Sequence, residues 1–337
     1  VPGLSGQTGN GTVAVNEENE GIPDLARFGI AIGHATDTVG ATGLTVIRGI
    51  SGPLRASVHV MGRSTGSREL ALLDPLASND RIDAVLLTGG SAYGLDAAAG
   101  VMRWMEEQGR GFPIAGGVVP IVPAAVLFDL APLGNFASRP TAQMAYDACE
   151  TAVSSGIAEG SVGAGTGCTV GKMAGVAGAM KGGLGIAVAE SNGAAAAAIV
   201  AVNAFGDVRD ANGAILAGAR GADGAFVDGA RLAAAGALDA IFAAGRNTTL
   251  AVVVFDAPLS KIELQQVARS AAAAMHRRIT PAGSSVDGDV LFALSPREGK
   301  AGSVLRAEAL ATAALEAAIE RAVRLAVGRD GVPGLAG

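Results

Sequence analysis

The chain has 337 residues, 50 of them glycine; half of all residues are apolar and only 4% aromatic. That length and apolar share describe a folded domain with a full core, not a disordered chain or a small disulfide scaffold. The formal net charge is −6 and no basic patch stands out, which argues against nucleic acid as a partner and against a strongly anionic substrate.

Residues 1–24 read as a polar, Gly-rich arm without the charged start and apolar run of a signal peptide. Residues 25–337 read as one domain. Gly29 to Ile32 is a short apolar strand, Gly33 to Asp37 a turn, and Thr42 to Ile47 and Ser57 to Met61 are strands. A helix over Glu69 to Leu73 is stopped by Asp74-Pro75. Ala84 to Leu87 is an apolar strand running into the tight turn Thr88-Gly89-Gly90-Ser91-Ala92-Tyr93-Gly94, then a helix from Leu95 to Gln108 that ends at Gly109. Ile121 to Leu127 reads as a strand with Pro123 at an edge or bulge, and Ala142 to Ser154 as a helix.

Ser161 to Lys172 is Gly-rich; Leu184 to Glu190 and Ala197 to Asn203 are strands. The longest apolar stretch, Ala194 to Phe205, is too short to span a bilayer and contains Asn203, so no membrane association is expected. Asp210 to Gly213 is a hairpin-type turn and Ala214 to Leu238 an exposed loop. Leu250 to Phe255 is a strongly β-prone run, Ser260 to His276 an amphipathic helix, Val290 to Leu294 a strand and Val304 to Val327 a long Ala-rich helix. Apolar strands mixed with such helices predict an α/β or α+β layered fold. Cys149 and Cys168 form no C-x-x-C pair and read as buried small side chains in a reducing cytoplasm.

Several motifs fail. In Gly163 to Lys172 the first glycine that a phosphate loop requires falls on Thr166, and Met173 stands where the hydroxyl residue belongs. Ser91 is one residue out of a nucleophile elbow. The three histidines, His34, His59 and His276, are scattered, without the spacing of a relay or a zinc site, and His276 reads as a helix-end residue. No metal or cofactor is expected.

An amide hydrolase without a usable histidine has another base. A free α-amino group has a pKa of about 7.7–8.0, and on the nucleophilic residue itself it lies beside the hydroxyl. Such an enzyme first cuts its own chain to expose Ser, Thr or Cys at the head of a rigid strand. Asn247-Thr248-Thr249, followed by Leu250 to Val254, has that form, although two threonines leading a strand are ordinarily just β-formers. Asp287-Gly288-Asp289 could hold the new ammonium and orient the Thr248 hydroxyl, or be a solvated or calcium-type turn. Lys172 follows small residues that could pack it against a reaction centre, or is an exposed lysine. Asn203 interrupts an apolar run and is either an oxyanion donor or a satisfied strand-end amide.

Leu87 to Asp96, Gly163-Ala164-Gly165 through Gly171-Lys172, Val202-Asn203-Ala204, Asn247-Thr248-Thr249, Met275-His276-Arg277 and Asp287-Gly288-Asp289 together resemble the DmpA-type aminopeptidases and NylC-type nylon-oligomer hydrolases, from about Gly29 to about Ala318. The resemblance implies an N-terminal-nucleophile hydrolase with a four-layer αββα sandwich. It implies cleavage between Asn247 and Thr248 into 1–247 and 248–337, and assembly of the cleaved pairs into homo-tetramers. Thr248 is then the nucleophile, Lys172 the family's lysine, Asn203 its oxyanion asparagine, and Asp287 and Asp289 its two aspartates. Tyr93 and Phe128 fall at substrate-binding positions, with Phe128 where the NylC type carries a tyrosine. The implied substrate is a small amide or peptide, including 6-aminohexanoate oligomers and nylon-type amides. A non-catalytic, small-molecule-binding or scaffold relative is the alternative that Phe128 favours.

Overall fold

The computed structural model describes residues 12–16, 21–236 and 247–336. Most of the expected N-terminal arm, the end of the 214–238 stretch and Arg246 lie outside the described residues. In chain order the main strands are β1 (Ala14–Val15), β2 (Ile30–Asp37), β3 (Thr42–Gly49), β4 (Arg55–Val60), β5 (Gly66–Arg68), β6 (Ala84–Thr88), β7 (Ala124–Val126), β8 (Gly183–Ser191), β9 (Ala194–Asn203), β10 (Thr248–Phe255) and β11 (Val290–Ser295). The helices are α1 (Ala98–Glu107), α2 (Ala142–Glu150), α3 (Gly229–Ala234), α4 (Lys261–Arg278) and α5 (Val304–Arg324).

One sheet runs β1-β8-β9-β10-β11-β4 and the other β2-β3-β6-β7-β5. Their facing sides share one core, in which Leu250, Val252 and Val254 of β10 and Ile199 and Ala201 of β9 meet Ile47, Val85 and Leu87. The alternate residues Ala251, Val253 and Phe255 turn outward onto Leu264, Ala271, Leu315 and Ile319 of α4 and α5. On the far side, Val101 and Trp104 of α1 and Ala145 and Ala148 of α2 cover Leu44, Val46 and Leu86. The layers are therefore α-β-β-α, and β10 is apolar on both faces because both are covered.

The Ala and Gly content sets the spacing between layers. A Cβ on Gly185 of β8 would lie 2.0 Å from the carbonyl oxygen of Ala318 on α5. Gly33 shows the same requirement: a Cβ there would lie 1.8 Å from the Ala148 carbonyl oxygen of α2. This corrects the turn expected over Gly33 to Asp37, which is the continuing strand β2; the glycine admits a helix and does not bend the chain. The 214–238 stretch is also more ordered than expected, with a strand at Ile215–Ala217 and helix α3. Among the described residues no helix is long and apolar enough to cross a membrane.

Candidate active site

The antiparallel ladder between β9 and β10 pairs Asn203, the last residue of β9, with Thr248, the first of β10. Side chains alternate along a strand, so Thr248 shares the inter-sheet face of Leu250 and Val252, and Asn203 that of Ile199 and Ala201. Both residues are buried, and together they close one end of the inter-sheet core.

The Asn203 amide is held in one orientation. Its Oδ1 accepts from Lys172 Nζ at 2.9 Å and from the Thr169 N–H at 3.0 Å, while its Nδ2 donates to the Phe128 carbonyl at 2.9 Å. An amide nitrogen carries two hydrogens, so Asn203 keeps one donor beyond the bond to Phe128. Lys172 Nζ also donates to the Asn203 main-chain carbonyl at 3.1 Å. The ammonium is only 2% exposed, which corrects the exposed-lysine alternative. Burial pushes its pKa down to about 7, and the nearby Asp287 and Asp289 pull the other way.

Asp287 and Asp289 are each 2% exposed, so the solvated-turn alternative does not hold. Asp289 accepts the Thr249 N–H at 2.6 Å and the Gly283 N–H at 3.0 Å. Asp287 accepts from the Ser284 N–H at 2.9 Å and the Ser284 hydroxyl at 2.6 Å. Burial raises both carboxyls; Asp289, with Asp287 beside it, is raised to about 7. Among the described residues no group of three or more His, Cys, Asp or Glu side chains is placed to hold a metal ion.

The main chain of this turn is clamped on the side of the 61–64 segment. Met61 and Gly62 N–H donate to the Asp289 carbonyl, both at 3.0 Å, and Arg63 and Ser64 N–H donate to the Asp287 carbonyl at 2.8 and 3.0 Å. On the other side the Gly288 N–H donates to the Asn247 carbonyl oxygen at 2.7 Å. The Thr248 hydroxyl donates to that same oxygen at 2.6 Å. The nucleophile candidate thus rests against the carbonyl of the bond it is expected to break.

Phe128 joins the site through its main chain. The adjacent Asp129 explains why that carbonyl is fixed. Its buried carboxylate accepts from Thr42 Oγ1 and from the Gly90 N–H, each at 2.7 Å. Burial raises it to about 6 against those bonds. A Cβ on Gly89 would lie 2.0 Å from the same carboxylate, so the Thr88-to-Gly94 turn is shaped around Asp129. Tyr93 lies apart from this cluster. It is half exposed, its ring stacks 3.5 Å from the Arg139 guanidinium carbon, and it lines an open cleft of about 840 Å³ with Arg68, Asp96 and Thr141. Neither Thr248 nor Asn203 borders that cleft.

Sequence reasoning missed Thr169, Ser284 and the main-chain role of Gly288. Only the Asp-Gly-Asp spacing hinted at the last, and the carboxylates drew the attention. A second buried lysine, Lys181, was also missed. Its Nζ donates to the carbonyls of Gly165, Cys168 and Gly182 at 3.1, 3.0 and 2.9 Å and ties together the loop before Thr169.

The chain is similar to several known proteins. The sequence model of peptidase family S58 matches residues 21–329. A Mycobacterium leprae protein named as an uncharacterized aminopeptidase is 41% identical over 272 residues, covering 76% of this chain and 71% of its own. A 6-aminohexanoate-oligomer endohydrolase of Kocuria is 30% identical over 277 residues, covering 80% and 74%. Among solved structures, the L-aminopeptidase D-Ala-esterase/amidase of Ochrobactrum anthropi, a variant of the Ntn hydrolase fold, superposes with a TM-score of 0.66 at 19% identity over 88% of this chain and 84% of its own. A Burkholderia β-aminopeptidase does so with a TM-score of 0.66 at 19% identity over 94% and 92%.

Proposed function

The chain belongs to peptidase family S58 and is an amide-bond hydrolase, and we propose that it matures by cutting itself between Asn247 and Thr248 and then uses Thr248 as its N-terminal nucleophile. The observation that carries this reading is the Thr248 hydroxyl 2.6 Å from the Asn247 carbonyl oxygen, with Asn203 directly across the ladder. The chain, with its single domain 25–337, then becomes two associated fragments, 1–247 and 248–337.

In turnover the freed Thr248 amino group takes the hydroxyl proton as Oγ1 adds to a substrate amide carbon. Asn203 Nδ2, oriented by Phe128, donates to the developing oxyanion, and the buried Lys172 supports that charge through Asn203. Asp289, bonded to the Thr249 N–H, and Asp287 hold the ammonium that forms on Thr248. The amine leaves with the proton, and water then hydrolyses the Thr248 ester to free the acid. Phe128 contributes through its carbonyl, which orients Asn203, while Tyr93, placed by resemblance at a substrate-binding position, lines a separate cleft.

The substrate class is a short amide oligomer: a small peptide or a 6-aminohexanoate-type oligomer, as the names of the relatives suggest. A homo-tetramer of cleaved pairs, in the cytoplasm, completes the proposal. The exposed apolar side chains Phe112, Ile114 and Val119 of one hairpin support self-association, and the free, buried Cys149 and Cys168 suit a reducing compartment.

Intact mass spectrometry of the purified protein tests maturation; two fragments meeting at Asn247-Thr248 are expected, and a chain that stays whole on long incubation overturns it. A panel of α-peptides, β-peptides and 6-aminohexanoate oligomers, read by mass, tests turnover. A cleaved protein that hydrolyses none of them and forms no acyl adduct is the result expected of a non-catalytic relative.

A further inference from the structure

Resting on that reading, we propose that the main-chain N–H of Gly288 is the oxyanion donor of the self-cleavage step, distinct from the Asn203 amide assigned to substrate turnover. The Asn247–Thr248 peptide bond is the bond to be broken, and its carbonyl oxygen accepts from the Gly288 N–H at 2.7 Å and from the Thr248 hydroxyl at 2.6 Å. The second donor is the nucleophile itself and is consumed by the reaction. When Oγ1 adds to the Asn247 carbon, the carbonyl electron pair moves to oxygen, and the Gly288 N–H is the donor already in place to receive it.

The Asn203 amide makes its hydrogen bonds to other groups than the scissile oxygen, and its second Nδ2 hydrogen is the one assigned to the substrate. Its Oδ1 is held by Lys172 and Thr169, and its Nδ2 bonds the Phe128 carbonyl. The Gly288 N–H does donate to the scissile oxygen.

The donor is preorganised. The flanking carbonyls of Asp287 and Asp289 are each held by two N–H groups from the 61–64 segment, and the Thr65 hydroxyl donates to the Gly288 carbonyl at 3.2 Å. The Asp287 carboxylate is tied to Ser284 and that of Asp289 to Thr249 and Gly283. Such a donor needs no reorganisation as charge develops, which is the condition for a large catalytic effect. Position 288 also has to be glycine, since a Cβ there would lie 2.7 Å from Thr248 Oγ1 and 2.9 Å from the Ser64 carbonyl oxygen.

The step balances without an added reagent. Oγ1 bonds to the Asn247 carbon, the Asn247–Thr248 C–N bond breaks, and the hydroxyl proton ends on the Thr248 nitrogen. This leaves an ester with a free amine. Water then splits the ester into the Asn247 carboxylic acid, which ionises, and the Thr248 hydroxyl.

The test replaces Gly288 by glycolic acid in a full-length chain made by cell-free translation, so that an ester oxygen stands where the N–H was and no side chain is added. Cleavage is followed by gel and mass beside the unaltered chain and T248A. The unaltered chain should cut itself, T248A should remain whole, and the ester chain, folded by circular dichroism and gel filtration, should cut about 10²–10³-fold more slowly. An ester chain that cuts within threefold of the unaltered rate overturns the proposal and leaves Thr248 as nucleophile untouched. An unaltered chain that never cuts defeats the functional reading instead. Should the ester chain fail to fold, the bond is read in uncleaved T248A by through-hydrogen-bond NMR coupling from Gly288 ¹⁵N to the Asn247 ¹³C carbonyl; a coupling is expected, and its absence overturns the proposal.

Discussion

Asn203 and Thr248 are Cα partners in the antiparallel ladder of β9 and β10, so the candidate oxyanion amide and the candidate nucleophile sit side by side at the mouth of the inter-sheet core. One is held by a lysine and two main-chain groups, the other leans on the carbonyl that precedes it. Their relative position is set by backbone hydrogen bonds.

Thr248→Ala removes the hydroxyl that lies 2.6 Å from the Asn247 carbonyl oxygen. It is expected to yield an uncut chain with no amide hydrolysis. Thr248→Ser keeps a hydroxyl at the same place and should still cut itself. Hydrolysis persisting in the alanine variant would move the nucleophile to another residue.

Asn203→Asp exchanges the Nδ2 donor for a carboxylate oxygen facing the Phe128 carbonyl, while Lys172 keeps an acceptor. Turnover of the cleaved enzyme should fall by about 10²–10³-fold, with the loss in kcat more than in KM. An unchanged kcat would show that Asn203 only braces the loop.

Lys172→Met fills a similar volume without charge. The Asn203 carbonyl and Oδ1 each lose a donor, and removing a cation that supports the oxyanion should lower kcat by about 10²-fold. Steady-state kinetics on the best substrate of the panel decides it, and full activity in the methionine variant refutes the role.

Burial holds the Asp289 carboxyl up at about 7 from its usual 3.8. A carboxyl raised by folding adds stability below its unfolded pKa and loses that contribution as pH rises through the folded one. In the uncut T248A chain, stability should therefore fall relative to T248A/D289N between about pH 4 and pH 7, by on the order of a few kcal/mol, and the difference should level off above. Lys172 acts in the adjoining window: its depressed pKa costs stability as pH falls from about 10 to about 7. Loss of the acceptor for the Gly283 N–H offsets D289N by a constant, so the slope of urea midpoints against pH is the readout; parallel curves would contradict the raised Asp289.

Gly62→Ala tests the clamp beneath Asp287-Gly288-Asp289. The added Cβ would lie 2.3 Å from both the Asp287 carbonyl oxygen and the Asp289 nitrogen, and these are main-chain atoms that cannot swing aside. A loss of about 1–3 kcal/mol by denaturant titration and slower self-cleavage are expected. Wild-type cleavage kinetics in a chain destabilised to that extent would show that the clamp is only structural.

Much of this protein was legible before folding was considered. The Thr-Thr-Leu-Ala-Val-Val-Val-Phe run marks a buried strand because its apolar β-formers have no polar face, and helix α4 is announced by the apolar stripe within Ser260 to His276. Asn203 and Lys172 stood out as polar residues among apolar or small ones, Asn247-Thr248 as a polar lead into a β-prone run, and Asp287 and Asp289 as a carboxylate pair just ahead of a strand. Other features depend on distant partners. Gly33 looks like a turn residue until α2 lies across it, and Phe128 enters through a carbonyl oriented for Asn203. Whether Asp287 and Asp289 face water or sit buried, and whether the Gly288 N–H reaches the carbonyl ahead of Thr248, is set by the register of β10 beside β11 and by the 61–64 segment clamped to the turn. Local composition dictates which residues prefer strand, helix or burial; hydrogen bonds between segments apart in sequence, β10 with β11 and 61–64 with 287–289, select which main-chain group meets the bond to be cut.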